Sequence, residues 1–387
     1  MKMIFNYIKG DKAIWIIVFM LSLFSILSVY SSTGSLAFRY QDGNTEYYLF
    51  KHIFIIIAGI FIMYITHNIK YTFYSRIAQF LFVISIPILV YTLFKGTNLN
   101  EASRWLTIPF IGISFQSSDI AKLAIILFLA RALALRQQNI EDLKKSFYPL
   151  LWRVVAITAL IFPANLSTAV LVFGTSMIIM YIGRVPAKYI LLSTGALIFI
   201  AAFSILILLQ LPNKGRTGTW ANRIESFFSE TEDNSGDYQA LQSKIAIANG
   251  GVFGKLPGNS TQKNFLPHPY SDFIFALIVE EWGLIGGIFI LLLYLILLYR
   301  GIRVATRSPG SFGAFLSIGL TITIVFQALI NMGVAVGLLP VTGQPLPLVS
   351  MGGTSIIFTC LSLGIILSVS RSKENEEKEL SNETIKE

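Results

Sequence analysis

The 387-residue chain is 54% hydrophobic and 13% charged, with a mean hydropathy of +0.66, which excludes an ordinary soluble globular protein. Its single cysteine excludes an internal disulfide, and its three histidines form no metal-ligand motif. The net charge is +9, but the basic residues gather in short connections between apolar segments. We therefore interpret the charge by the positive-inside rule and predict no nucleic-acid partner.

Apolar stretches long enough to cross a bilayer predict an all-α polytopic membrane protein with about ten transmembrane helices. The predicted spans are 13–32, 50–68, 75–94, 117–135, 147–164, 166–183, 188–211, 273–299, 311–333 and 347–370. Residues 1–370 are predicted to form a single transmembrane domain.

Lysine and arginine residues follow every even-numbered span, which places both termini in the cytoplasm. The largest connection, about 212–271, lies between the seventh and eighth spans and is therefore predicted to be extracytoplasmic. The charged segment 371–387 is predicted to be a cytoplasmic tail that is disordered or a frayed helix.

One acidic residue, Asp272, stands where the large outer loop enters the eighth span, and Glu280 and Glu281 follow inside that span. A charge at the bilayer centre costs about 2.5–3.5 kcal/mol on insertion scales, so it usually faces a protein interior or a functional cavity. These carboxylates are typical of proton chemistry or cation handling. The alternative is a capping aspartate followed by interhelical ion pairs, and the residues alone leave both interpretations open.

A second polar group precedes the fourth span. Arg104 and Trp105 lie in the outer loop, and Asp119 and Lys122 share one helical face because they are three residues apart. The two cations could bind a phosphate, and a tryptophan ring is a common stacking surface for a sugar. An interfacial aromatic belt with a helix-start ion pair is the alternative.

The glycine-rich stretch 249–267 could turn backbone N–H groups inward as an anion nest, with Lys255 and Lys263 supplying charge. A simple series of turns is the alternative. The last outer loop, from Gly337, ends in small residues that favour close helix packing. Together these segments predict an outer-face site for a lipid-linked anionic substrate, which the protein could either move or transform.

Motifs along nearly the whole chain resemble one family. They include Arg104-Trp105, Gln116 to Asp119 with Lys122, Asn165 to Ala169, Asn249-Gly250-Gly251, Gln262-Lys263, Ser271 to Ala276, Glu280-Glu281, Asn331, Pro340, Gly343 and Ser350 to Ser355. In this order they resemble the SEDS family (shape, elongation, division and sporulation), which contains FtsW and RodA.

The resemblance implies an inverting peptidoglycan glycosyltransferase that polymerises lipid II at the outer face of the bacterial cytoplasmic membrane. It also implies a class B penicillin-binding protein as partner, other divisome or elongasome membrane proteins, and an undecaprenyl-pyrophosphate-linked glycan. It implies no certain cofactor and leaves a divalent cation open. Asp272 matches the catalytic base, and the substrate-binding positions implied are Arg104, Asp119, Lys122, Asn165, Gln262, Lys263 and Ser350.

Some positions depart from the family pattern. Asn165 stands where aspartate is common, and Leu256 replaces a usual glycine, which weakens the anion-nest hypothesis. The Pro340–Gly343 stretch is more similar to the FtsW branch, so a septal enzyme is favoured over a RodA-like elongation enzyme. A lipid II flippase and a non-catalytic scaffold for the penicillin-binding protein are the alternative functions.

Overall fold

The computed structural model describes residues 9–40, 43–99, 102–107, 114–210, 235–266 and 269–384. A helix overlaps each of the predicted apolar stretches. The helices are α1 (Lys12–Ser32), α2 (Gly34–Tyr40), α3 (Thr45–Asn68), α4 (Tyr71–Lys95), α5 (Ser117–Leu135), α6 (Tyr148–Ile161), α7 (Leu166–Ile182), α8 (Ala187–Gln210), α9 (Ser235–Gly250), α10 (Ile274–Thr306), α11 (Ser311–Ala335) and α12 (Thr354–Thr384).

Among the described residues, six helices are long and apolar enough to cross a membrane: α1, α3, α4, α10, α11 and the Thr354–Ser372 part of α12. The apolar segments Leu166–Ile182 and Ala187–Phe199 are shorter. Helix α5 has sufficient length but carries three charged residues, Asp119, Lys122 and Arg131. This set of helices makes the chain a multi-pass membrane protein.

The protein is predominantly helical, as predicted, and the part of the chain that the structure describes also contains one small sheet that was not predicted. Strands β1 (Thr97–Leu99), β2 (Ala102–Thr107) and β3 (Ser114–Gln116) form an antiparallel sheet in the order β1-β2-β3. Helix α9 lies inside the segment that the sequence predicts only as an outer loop.

The last helix also differs from its prediction. It begins at Thr354 instead of residue 347, because prolines and glycines keep the preceding residues in irregular backbone. It then continues as a helix as far as Thr384, through the segment predicted to be a disordered tail or a frayed helix.

Small residues let the long helices approach closely. Helix α3 packs along α12 with Gly364 beside Thr66, and α10 packs along α11 with Gly301 beside Thr321. A Cβ atom at either glycine would overlap the threonine side chain. Packing of this kind is typical of helix pairs in membranes, where close van der Waals contact supplies much of the association energy.

Two sets of contacts define the two ends of the helical bundle. At the end that we call the basic end, Arg300 binds Asp11, Arg371 binds Asn68, and Gln137 donates to the carbonyl of Gly183. At the opposite end, which we call the loop end, the contacting pairs are Ser31–Glu281, Thr168–Gln344, Ser243–Ala335 and Ser271–Ser350.

Candidate active site

The turn that contains Asp272 is fixed by hydrogen bonds to three successive backbone carbonyls. The carbonyl of Tyr270 accepts from the Met351 N–H at 2.9 Å, and that of Ser271 accepts from Ser350 Oγ at 2.5 Å. The carbonyl of Asp272 accepts from Asn331 Nδ2 at 2.8 Å. The backbone beneath the Asp272 carboxylate is therefore held by two separate parts of the chain.

The Asp272 side chain is half-buried, and its Oδ1 accepts a hydrogen bond from Ser271 Oγ at 2.8 Å. The N-cap residue of α10 is Phe273, and not Asp272. Asp272 therefore lies one residue before the cap position of the helix. The carboxylate is oriented by its neighbour at the mouth of a buried helix, as a general base needs to be.

Residues 344–351 form a segment, called here the hub segment, to which much of the predicted site is hydrogen-bonded. Gln344 Nε2 donates to Thr168 Oγ1 at 2.5 Å, and the Gln344 carbonyl accepts from Asn331 Nδ2 at 2.7 Å. Asn165 caps α7 by accepting from the Thr168 N–H at 3.2 Å. Thr168 therefore connects Asn165 to the hub segment, and Ser350 lies within that segment.

The predicted pair Asp119–Lys122 is present in the first turns of α5, with Lys122 Nζ 2.8 Å from Asp119 Oδ1. Lys122 also donates to Gln327 Oε1 at 3.1 Å, and Gln327 Nε2 donates to the Pro345 carbonyl at 3.0 Å. The pair is thus connected to the hub segment through one amide. Because both side chains are largely buried, the carboxylate compensates the charge of the lysine inside the protein.

A cavity of about 40 Å³ lies beside this pair, between α5, α11 and α12. Its polar lining comes from Asp119, Lys122, Thr323, Gln327, Ser355, Thr359 and Ser362. That volume accommodates ordered water and not a sugar ring. In this conformation the pair therefore lines a small cavity that is large enough for water and too small for a sugar ring.

The glycine-rich loop does form a nest, but the anion within it is the protein's own Glu280. Lys255 Nζ lies 2.9 Å from Glu280 Oε1, which also accepts from the Thr261 N–H at 3.1 Å. Glu280 Oε2 accepts from Ser260 Oγ and from the Gln262 N–H. The prediction that Lys255 serves a substrate anion is therefore corrected, since Lys255 is engaged by Glu280.

The two remaining predicted residues of this loop differ in their surroundings. Lys263 is partly exposed, and its Nζ donates to the Gly258 carbonyl at 2.7 Å. Gln262 is buried, and its Oε1 has no hydrogen-bond partner.

An apolar cluster connects this loop to the Asp272 turn. Leu266, which follows Lys263 closely, packs with Phe273, Leu277 and Val334. Phe273 is the neighbour of Asp272 in the chain, so this packing fixes the end of the loop against the start of α10.

Arg104 lies in β2, where the neighbouring Trp105 pairs with Gln116 of β3 directly before α5 begins. The pairing brings this part of β2 to the start of the helix that carries Asp119. The Arg104 side chain lies outside the described part of the structure, as do Pro267 and His268.

Sequence reasoning missed the amides that join these groups. Gln327 and Gln344 were not singled out, and Asn331 was noted only as part of the family resemblance. A usable signal exists for two of them, because Gln327 and Asn331 are four residues apart in an otherwise apolar helix and so share one face. Across the ranges that the structure describes, no group of three or more His, Cys, Asp or Glu residues could hold a metal ion.

Comparison with known sequences decides the family. Residues 11–375 match the sequence model for the FtsW, RodA and SpoVE proteins, described as cell cycle proteins. The chain belongs to this family. It is 34% identical over 367 residues to stage V sporulation protein E of Bacillus subtilis, covering 93% of this chain and 97% of that protein. It is 31% identical over 372 residues to peptidoglycan glycosyltransferase MrdB of Escherichia coli, covering 95% of each.

Solved structures of FtsW/RodA/SpoVE relatives share the fold. RodA of Thermus thermophilus superposes with a TM-score of 0.68 at 22% identity, covering 95% of this chain and 99% of that one. A chain from a peptidoglycan synthase complex that coordinates polymerization and crosslinking gives a TM-score of 0.76 at 24% identity. That match covers 94% of this chain and 98% of the other.

Proposed function

We propose that this protein is a SEDS peptidoglycan glycosyltransferase that polymerises lipid II into glycan strands for cell division or elongation. Its family membership and its similarity to the glycosyltransferase MrdB support this activity. The observation that carries the proposal is Asp272, a half-buried carboxylate whose backbone carbonyl accepts from Asn331 and whose neighbour Ser271 accepts from Ser350.

In the proposed reaction, Asp272 takes the proton from the acceptor sugar hydroxyl. The resulting oxygen nucleophile attacks the anomeric carbon of the donor from the face opposite the lipid pyrophosphate. The bond from that carbon to the pyrophosphate oxygen breaks, and the electron pair leaves with undecaprenyl pyrophosphate. The configuration at the anomeric carbon is therefore inverted.

The leaving pyrophosphate requires cationic stabilisation. Lys263 suits this role because its side chain is partly exposed and its Nζ donates to a backbone carbonyl, that of Gly258. Arg104 is the second candidate, from its position in β2. Lys122 is paired with Asp119, so we assign this pair to the support of the hub segment and to the lining of the small cavity beside it.

The proposal includes a location and a partner. About ten helices cross the bacterial cytoplasmic membrane with both termini in the cytoplasm, and the loop end with Asp272 faces outward. A class B penicillin-binding protein crosslinks the new strands, as the similarity to a synthase complex that coordinates polymerization and crosslinking suggests. The Pro340–Gly343 stretch favours an FtsW-like role at the septum, together with other division proteins.

The test is polymerisation of purified lipid II by the protein with its cognate penicillin-binding protein, whose crosslinking site is blocked. Wild type is compared with Asp272→Asn, which keeps the size and the hydrogen-bonding shape but removes the base. We expect glycan strands on a gel from wild type and a loss of at least about a thousandfold in the variant.

Glu46→Gln is the matched control, because it removes the same charge from an exposed position at the start of α3. It should polymerise as wild type does. Equal strand formation by a folded Asp272→Asn protein would reject Asp272 as the base. A complex that assembles and makes no strands in any form would instead favour the flippase or scaffold function.

A further inference from the structure

Glu280 is the most completely hydrogen-bonded carboxylate among the described residues, although it lies within an apolar helix. It is fully buried, and both of its oxygens accept hydrogen bonds from the glycine-rich loop. The donors are Lys255 Nζ, Ser260 Oγ, the Thr261 N–H, Thr261 Oγ1 and the Gln262 N–H. Charge-assisted hydrogen bonds of this kind are the strong ones, and here they converge on one group.

The loop that Glu280 binds is the one that carries Lys263. Ser260 Oγ donates to Glu280 and accepts from the Lys263 N–H at 3.2 Å. One hydroxyl therefore connects the buried carboxylate to the backbone of the residue assigned to the leaving pyrophosphate. The neighbouring Gln262 N–H donates directly to Glu280 at 3.2 Å.

Glu280 also belongs to the short helical unit that directly follows the proposed base in the chain. Gly283 has a backbone φ of 70° and ψ of −173°, which breaks α10 after Trp282. The unit from Ile274 to Trp282 therefore begins beside Asp272 and ends beside Glu280. A group that fixes the loop to this unit fixes Lys263 relative to Asp272.

We propose that Glu280 is a positioning residue that sets the place of the substrate-binding loop 260–263 relative to Asp272. This inference rests on the proposed function, since it assigns a task to that same site. Glu280 does not contact substrate. It acts through Ser260 and through the backbone of Gln262, so its removal should weaken substrate binding while leaving the base in place.

The first variant is Glu280→Gln, which keeps the shape but places an amide N–H₂ opposite existing donors. In hydrogen exchange measured by mass spectrometry, the amides of 260–263 should exchange about tenfold faster, with the rest of the protein unchanged. The KM for lipid II should rise about tenfold, and kcat should change by less than about threefold. Purely structural damage would instead lower kcat through loss of active protein.

The second variant is Ser260→Ala, which removes only the hydroxyl bridge and leaves Glu280 bound to Lys255, Thr261 and Gln262. It should fold even if Glu280→Gln does not, and it should raise the KM in the same direction by a smaller factor. The matched controls are Glu46→Gln and Ser193→Ala, whose hydroxyl donates to a carbonyl of its own helix, and both should keep the wild-type KM.

If the amides of 260–263 exchange at the wild-type rate in a folded Glu280→Gln protein, Glu280 does not hold this loop in place. Faster exchange with an unchanged KM in both variants would overturn the positioning role. Direct binding of lipid II to each protein separates this inference from the proposed function. If wild type binds lipid II without polymerising it, and Glu280→Gln binds it about tenfold more weakly, the positioning role stands and the polymerase assignment fails.

Discussion

At the scale of single residues, the site is built on amides more than on charges. Asn331 alone donates to two carbonyls, those of Asp272 and Gln344, and Gln327 connects Lys122 to Pro345. In a low-dielectric interior an amide satisfies buried carbonyls without the cost of desolvating a charge. The charged groups can then be restricted to positions where chemistry or ion pairing needs them.

Asn331 tests this account, because its side chain holds the Asp272 backbone. Asn331→Leu keeps the volume and loses both hydrogen bonds, each worth about 0.5–1.5 kcal/mol net. We expect kcat for strand polymerisation to fall about tenfold or more, since Asp272 is no longer held in one orientation. The measurement is the steady-state rate on lipid II with the penicillin-binding partner present.

Asn139→Ala is the control for the loss of an amide, since Asn139 is exposed in the connection after α5 at the basic end. It should retain the wild-type rate. A folded Asn331→Leu protein with full activity would show that the Asp272 turn is positioned without this amide.

At the scale of helices and loops, α10 is shaped by its contact with the glycine-rich loop. The loop passes so close to the break at Gly283 that a Cβ there would overlap the Val252 carbonyl, and a Cβ at Gly254 would overlap the Glu281 carbonyl. The N–H of Leu284, freed by the break, donates to the Gly251 carbonyl at 2.9 Å. The loop thus satisfies backbone groups that the kinked helix leaves open.

Gly283→Ala should therefore destabilise the protein by about 2–3 kcal/mol or more, because its backbone region is nearly restricted to glycine and its space is filled by backbone. Gly174→Ala is the matched control: Gly174 lies inside α7 with open space around its Cβ position. That change should be neutral or stabilising by up to about 1 kcal/mol. Thermal unfolding in detergent, followed by fluorescence, measures both.

Equal unfolding temperatures for the two alanine variants would contradict the strained backbone at Gly283. Gly283→Ala should also lose polymerisation, since the loop that carries Lys263 can no longer sit against α10. Normal polymerisation by the Gly283→Ala protein would show that the helix break at Gly283 is not needed for activity.

The elements differ in how far the sequence predicts them. Long apolar stretches predicted the positions of the spanning helices, because an apolar run of that length has few alternatives. Helix α9 was missed because its polar composition gives no membrane signal, and the sheet was missed because its strands are only three to six residues long. For the tail after residue 370 the sequence left a disordered segment and a frayed helix open, because charge composition alone does not distinguish a solvated helix from a disordered tail.

At the scale of the whole molecule, the site joins residues that are far apart in the chain. Gln344 binds Thr168, and Ser350 binds the Ser271 carbonyl, so pairs separated by 176 and 79 positions meet. Sequence spacing predicts contacts along one helix, which is why Asp119–Lys122 was found from the residues alone. The contacts that build the hub segment depend on helix packing, so no local pattern could predict them.

The two ends of the bundle carry different chemistry, and this difference leads to the last prediction. Arginines and lysines lie with Asp11 and Asn68 at the basic end, whereas Asp272 and the glycine-rich loop lie at the loop end. The positive-inside rule predicts that the basic end faces the cytoplasm and the loop end faces outward. A lipid-linked donor would then reach Asp272 from the outer leaflet.

Cysteine accessibility tests this orientation in intact cells, in a Cys360→Ser background that removes the one native, buried thiol. Asn264→Cys lies exposed in the glycine-rich loop, and Gln138→Cys lies exposed at the basic end, so solvent can reach both. A membrane-impermeant maleimide should label Asn264→Cys in intact cells and Gln138→Cys only after permeabilisation. The reverse pattern would place Asp272 in the cytoplasm, where assembled glycan strands could not form outside the cell, and would overturn the polymerase assignment together with the topology.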